Sequence, residues 1–192
     1  MNLIRTSLAI AGITTALMTS RAFAAAFELT PAIQKALDKQ KAEAATWAAD
    51  PVIVKAVKDQ NAKGPIADMD NAKWKSVRRT DPMIDEFLNN DAARSLKTKA
   101  DAANGLVSEA FLSAAGGEKV AFLEKTSSYI HKGAPKFDVP FTTGAAWQGK
   151  AEFDESSQTY AIQVSVPVND GGKAIGVLVM GVNLSHLEKM VK

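Results

Sequence analysis

The chain contains no cysteine, which removes two classes of protein at once. Without thiols there is neither a disulfide framework nor a thiolate metal site, and no lipid-bearing cysteine follows the apolar leader. Histidine is nearly absent too. His131 and His186 stand far apart without ligand spacing, which argues against zinc. Beyond the first segment no apolar run approaches the roughly 20 residues that span a bilayer. There is no internal repeat and no low-complexity stretch.

What is present begins with a leader. Arg5 supplies the positive end, an apolar run extends from Leu8 to Met18, and Ala22-Phe23-Ala24 has the small-x-small pattern that signal peptidase accepts. Only about 15 uncharged residues separate Arg5 from Arg21, too few for a permanent span. Cleavage after Ala24 is therefore expected, placing the mature protein in the periplasm or outside the cell. The whole chain has 23 Lys+Arg against 21 Asp+Glu, and the leader takes Arg5 and Arg21 with it. The mature chain is then neutral, so its charge gives no support for nucleic-acid or membrane-surface binding. Roughly 168 residues remain, which suits one domain. The chain stops at Lys192, and no membrane segment is expected after the domain.

The first part of that domain, residues 25–105, reads as helical. Thr30-Pro31 is an N-cap followed by proline at the first helical position. Ile33, Leu37, Gln40, Ala44 and Trp47 then mark one face of a long helix. Asp50-Pro51 starts a second, with Val52, Ile53, Ala56 and Val57 expected on its inner face, and Lys63-Gly64-Pro65 breaks it. Shorter helices are expected around Met69–Arg78, Pro82–Asn89 and Ala92–Ala103, with Asn104-Gly105 as a stop.

Residues 106–192 change to an extended period. Leu106–Leu112 and Lys119–Lys125 flank Ala114-Ala115-Gly116-Gly117 as a hairpin, and Ala146–Phe153 is a weaker strand. Thr159–Val168 and Lys173–Asn183 are the strongest strands, joined by Asn169-Asp170-Gly171-Gly172. Gly176 and Gly181 inside the last strand point to close backbone approach or a bulge. Leu184–Val191 suits a terminal helix. The expected architecture is α+β: a PAS-like sheet of five antiparallel strands with a long N-terminal helix packed on one face. Thr126–Ala145 fits neither period, and its 20 or so irregular residues read as a lid over a pocket.

Little of the chemistry survives inspection. Ser156-Ser157 and the two histidines lack a G-x-S-x-G elbow, so turn serines outweigh a hydrolase. Asp68, Asp70 and Asn71 lack the glycine and terminal acid of a calcium loop, and capping of the helix that carries Trp74 explains the two acids better. Asp154-Glu155 reads as a solvated turn more readily than as half of a carboxylate pair. In the fourth strand Tyr160, Ile162, Val164 and Val166 share the apolar face, while Ala161, Gln163 and Ser165 share the other. That small polar face suits either solvent or a lined pocket. Tyr129, His131, Lys136, Phe137 and Trp147 lie in or beside the irregular segment.

Several stretches carry a resemblance to a known family. They are Glu109-Ala110-Phe111-Leu112, Gly117-Glu118-Lys119-Val120-Ala121, Thr126-Ser127-Ser128-Tyr129, Phe153-Asp154-Glu155-Ser156-Ser157, Val164-Ser165-Val166-Pro167-Val168 and Gly171-Gly172-Lys173-Ala174-Ile175-Gly176-Val177-Leu178. Over about 80 residues the chain resembles the extracellular PAS-like sensor domains called Cache, or PDC, domains, in their single-Cache form. The resemblance implies a small-metabolite pocket on the face opposite the long helix, no catalysis, no cofactor and no metal. The expected ligand-binding residues are Tyr129, Lys136 and Asn183, which match positions of the family's pattern, together with His131, Trp147, Asp154, Tyr160 and Gln163 from the polar and aromatic residues noted above. The amino-acid-binding version carries an arginine where Lys136 stands, a Trp-Tyr pair reduced here to Phe137, and an aspartate where Asn183 stands. Lysine lacks the bidentate fork of arginine, and asparagine cannot pair an ammonium by charge. A small carboxylate held by Lys136 and Tyr129 is the expected ligand. The expected partners are that molecule and a membrane receptor or transporter, with a homodimer through the N-terminal helix as a further option. The alternative is an interaction module of the same fold without a pocket, using Val52, Ile53 and Trp74.

Overall fold

The structure, a computed structural model, describes residues 27–154 and 158–192. The expected leader, together with Glu155, Ser156 and Ser157, lies outside the described residues. Five helices come first: α1 (Pro31–Ala48), α2 (Pro51–Lys63), α3 (Asn71–Ser76), α4 (Pro82–Asn89) and α5 (Asp91–Ala102). Their starts follow from local chemistry. Thr30, Asp50, Asp70, Asp81 and Asn90 each accept a hydrogen bond from a first-turn N–H, at 3.3, 2.9, 2.7, 2.9 and 2.9 Å. Each such cap contributes on the order of 1 kcal/mol. Proline fills the first helical position of α1, α2 and α4, where its missing N–H costs nothing. Asp70 is thus a cap, as its spacing indicated.

The second half supplies β1 (Val107–Ala114), β2 (Lys119–Phe122), α6 (Pro135–Thr143), β3 (Trp147–Gln148), β4 (Glu152–Asp154), β5 (Thr159–Asp170), β6 (Lys173–Asn183) and α7 (Leu184–Val191). The strands form one antiparallel sheet in the order β2-β1-β6-β5-β3, with β4 also paired to β5. β5 and β6 form the long central hairpin, from Asp170↔Lys173 to Ala161↔Asn183. The expected fifth strand at Ala146–Phe153 is therefore two short ones, making six. Lys119–Lys125 stops pairing at Phe122, where the chain turns away over the sheet.

Strand alternation sorts the sheet into two faces. On one, Ala110, Leu112, Ile162, Val164, Val166, Leu178, Met180 and Val182 pack against Ile33, Leu37, Ala44, Trp47, Ile53 and Val57 of α1 and α2, the main core. Burying one such side chain stabilises by about 1.5–3 kcal/mol. Gly176 allows the closest approach: a Cβ there would meet Ser113 O at 2.4 Å and Val57 Cγ1 at 2.7 Å. Val52 departs from its expected inward place. It is 40% exposed, because residue two of α2 points away from the sheet.

On the other face, Phe111, Phe122, Val177 and Val179 meet Trp74, Ile84, Phe87, Tyr129 and Phe137 in a second, aromatic core. The stretch Thr126–Ala145 contributes a helix here, not the wholly irregular lid expected. Pro135 starts α6, Gly144 ends it in the left-handed conformation, and Pro140 sits inside it. The interior proline disguised the helical period, and burial of Phe137 and Pro140 on the sheet offsets its missing N–H. The face opposite α1 and α2 is thus partly roofed by a helix.

Candidate ligand-binding site

The second face is asymmetric. Beneath α6 it is packed, and toward the start of β5 it opens into a cleft of about 760 Å³. The cleft floor is Ser108, Ala161, Gln163 and Gly181; the walls include Trp147 and Glu152 to Asp154 on one side and Glu124 to Ser127 on the other. Small residues keep the floor low. A Cβ on Gly181 would meet Ser108 Oγ at 2.9 Å and Glu109 Cβ at 3.0 Å. That explains one interior glycine of β6 as close approach beside the irregular pairing of Val107 and Glu109.

A chain of polar side chains leads from the cleft under α6. Glu109 and Gln163 line the cleft. Gln163 Nε2 donates to Glu109 Oε1 at 2.7 Å, and Lys136 Nζ donates to Gln163 Oε1 at 3.0 Å. Lys136 Nζ also lies 5.7 Å from the centre of the Phe111 ring. Over the same ring, at 3.5 Å, sits Lys119 Nζ, which is 2.8 Å from His131 Nδ1. Lys119 is fully buried. Burial holds its ammonium well below the ordinary lysine range; the charge of Glu109 pulls the other way, and the weaker push of Lys136 adds to burial. His131 is pushed down to about 3, first by burial, then by the charges of Lys119 and Lys136. A neutral imidazole so placed offers Nδ1 as the acceptor, with Lys119 donating.

Local sequence explains the placement. At the β1–β2 hairpin the pairing slips, so Ser113 opposes Lys119 where regular pairing would oppose it to Val120. That bulge turns Lys119 to the α6 face. His131 is held by its own N–H, which donates to Gly117 O at 2.8 Å. The residues before it are held by Asn71. Asn71 Oδ1 accepts from the N–H of Tyr129 and Ile130 at 2.9 and 2.8 Å, and its Nδ2 donates to Ile130 O at 2.9 Å. Ser113 Oγ and Ser165 Oγ are buried on this face without partners.

The expected site residues divide by position. Gln163, Trp147 and Asp154 line the cleft, and Lys136 and His131 continue from it under α6. Tyr129 is fully buried among Trp74 and Phe87, and its hydroxyl accepts from the Ile66 N–H at 2.9 Å. Tyr160 points to the other face, 5.2 Å from the Phe27 ring. Asn183 caps α7, its Oδ1 accepting from His186 N–H at 2.9 Å. Lys119 and Glu109 were not among the expected site residues, and Asn71, considered only for a calcium loop, instead braces Tyr129 and Ile130. Lys119 follows a Gly-Gly turn, where an exposed lysine is ordinary, and no period reveals a bulge in advance.

No family model matches the chain, and no curated protein matches it in sequence. Solved structures do. The sensor domain of the Vibrio cholerae histidine kinase DctB superposes with a TM-score of 0.54 at 17% identity, over 83% of this chain and 54% of that one. The ligand-binding domain of the Pseudomonas aeruginosa PAO1 amino acid chemoreceptor PctC, in complex with GABA, gives 0.52 at 12% identity, over 82% and 58%. The chain thus spans little more than half the length of either. The fold is the PAS-like α+β fold of the Cache, or PDC, extracellular sensor domains. In those two proteins it serves as a histidine kinase's sensor domain and as a chemoreceptor's ligand-binding domain. Among the described residues no helix is long and apolar enough to cross a membrane.

Proposed function

We propose that this chain is an exported, periplasmic small-molecule-binding module of the Cache type that takes a small carboxylate and reports it to a membrane receptor or transporter. One observation carries the reading: the sheet face opposite α1 and α2 is an open cleft with a polar floor at one end, not a hydrocarbon core throughout. A binding site of this kind needs a concavity and a few convergent polar groups. Lys136 reaches the cleft floor through Gln163, while Arg79, Lys125 and Lys150 line the cleft itself; exchange of Gln163 Oε1 for a ligand oxygen keeps the Lys136 ammonium paired. Trp147 supplies an apolar wall and Asp154 part of the rim. Tyr129 supports the site from behind through packing.

The test is isothermal titration of the full chain, expressed with its leader and purified from the periplasmic fraction, against acetate, propionate, malonate and glutarate. A saturable heat with one of them, lost or weakened at least tenfold in Lys136→Ala, supports the reading. No heat with any, or an unchanged affinity in Lys136→Ala, rejects it. The competing reading, a ligand-free dimerisation module, draws on a groove of about 410 Å³ between Ala42, Ala45 and Ala48 of α1 and Pro167 of β5. Ile53 and Trp74 are fully buried and contribute to no such surface. Concentration-dependent size without any ligand-induced rise in melting temperature favours it.

A further inference from the structure

Three basic side chains converge on the ring of Phe111 from three elements: Lys119 from β2, His131 from the segment before α6, and Lys136 from α6. The counter-charge is meagre. Glu109 of β1 is the one carboxylate in the polar chain, and Gln163 of β5 stands between it and Lys136. From β6 the facing residues are Val177 and Val179, and from α3 and α4 they are Trp74, Ile84 and Phe87. The remaining acids nearby are turned elsewhere. Asp138 of α6 accepts from the exposed Gly133 N–H at 3.0 Å, and Glu118 Oε2 is aimed toward Gly116 at the hairpin turn. The buried side-chain atoms left unpartnered here are Ser113 Oγ and Ser165 Oγ, which carry no charge, and Oε2 of Glu118, a buried carboxylate at the hairpin turn.

Two buried nitrogens 2.8 Å apart can share one hydrogen between them, but two charged forms at that distance repel strongly. Without an anion the pair is short of protons for a simple reason: a second cation, Lys136, stands beside it and water does not. An anion on Lys136 offsets that neighbouring charge, so a proton on the pair costs less than it does without the anion.

Resting on the carboxylate-binding reading above, we propose that the proton is a co-ligand: an anion seated on Lys136 in place of Gln163 Oε1 enters with one proton, which the Lys119–His131 pair takes up. The ligand class follows. The site takes an anion and a proton together, so it reports the protonated acid more than the anion concentration. Burial holds both members of the pair below their ordinary proton affinity, in keeping with this; the Lys136 charge adds a lesser push, which at Lys119 the pull of Glu109 exceeds. Apparent affinity then falls as pH rises, approaching about tenfold per unit where uptake is complete.

The test uses the full chain, with acetate, propionate, malonate, glutarate and inorganic sulfate as probes. Titration heats at one pH in phosphate, MOPS and Tris buffers, which differ in ionisation enthalpy, count the protons exchanged. Uptake of between about 0.5 and 1 proton per bound anion is expected. In Lys119→Met/His131→Gln the same anion should bind with buffer-independent heats and a flat pH profile. Buffer-independent heats in the unaltered chain overturn the inference while leaving anion binding intact. So does undiminished uptake in the double variant. No heat with any probe ends the binding reading and this inference together.

Discussion

Lys119 Nζ lies 2.8 Å from His131 Nδ1, and both side chains are buried over or beside the ring of Phe111. Twelve residues separate them in sequence. A hairpin bulge and one backbone hydrogen bond to Gly117 bring them together.

Acid stability should carry the signature of His131. Its proton affinity falls from 6.5 in the unfolded chain to about 3 in the fold. The unfolded state therefore binds more protons between those values. The histidine's contribution is fully present above pH 6.5 and is lost as pH falls from there toward 3, by at most about 5 kcal/mol. Urea melts from pH 4 to 7.5 should show His131→Gln losing less stability per pH unit than the unaltered chain. Parallel profiles would contradict this.

Lys119 has the same sign in a higher range. Its folded affinity lies below that of the unfolded chain, so its presence costs stability increasingly as pH falls from about 10.5. Lys119→Met removes that cost while leaving His131 Nδ1 without its donor. The balance should favour the variant at pH 7 by about 1–3 kcal/mol, because the desolvation cost exceeds that of one lost hydrogen bond. Chemical denaturation checks the sign.

Asn71→Ala should cost about 2–4 kcal/mol, since it leaves the N–H groups of Tyr129 and Ile130 and the carbonyl of Ile130 without their partner. Hydrogen exchange should accelerate first in 126–134. Uniform acceleration over β5 and β6 instead would assign Asn71 a global role.

Gly176→Ala should destabilise by about 1–3 kcal/mol through overpacking against backbone at Ser113 and the Val57 side chain. A urea midpoint equal to that of the unaltered chain would refute the close approach.

The three tryptophans give the cleft an optical probe. Trp47 and Trp74 are buried, and Trp74 Nε1 donates to Thr126 O at 2.8 Å. Trp147 is half-buried on the cleft wall. An anion that occupies the cleft should change the emission of the unaltered chain and leave that of Trp147→Phe unchanged. A signal that persists in this variant would move the ligand elsewhere.

Much of the fold was readable from residue order because its causes are local. A capping oxygen followed by proline starts α1, α2 and α4 within one turn, and a period of two over Thr159–Val168 told the α1-facing residues of β5 from the cleft-facing ones. The bounds of α4 and α7 coincide with those expected from Asp81-Pro82 and from Leu184–Val191. α6 was hidden because Pro140 breaks the pattern that normally marks a helix, and only the sheet beneath it makes that break tolerable.

The amino-acid order by itself determined the helical starts, the strand faces and the poverty of catalytic and thiol chemistry, since each depends on neighbours a few residues away. Tertiary structure alone decided which polar groups meet: it sent Tyr129 into the aromatic core, set Asn183 to capping, and turned Lys119 inward to His131. The physical reason is range. A cap or an alternation is written within one turn or one strand, whereas desolvation and charge pairing depend on whatever the chain packs around a side chain from afar.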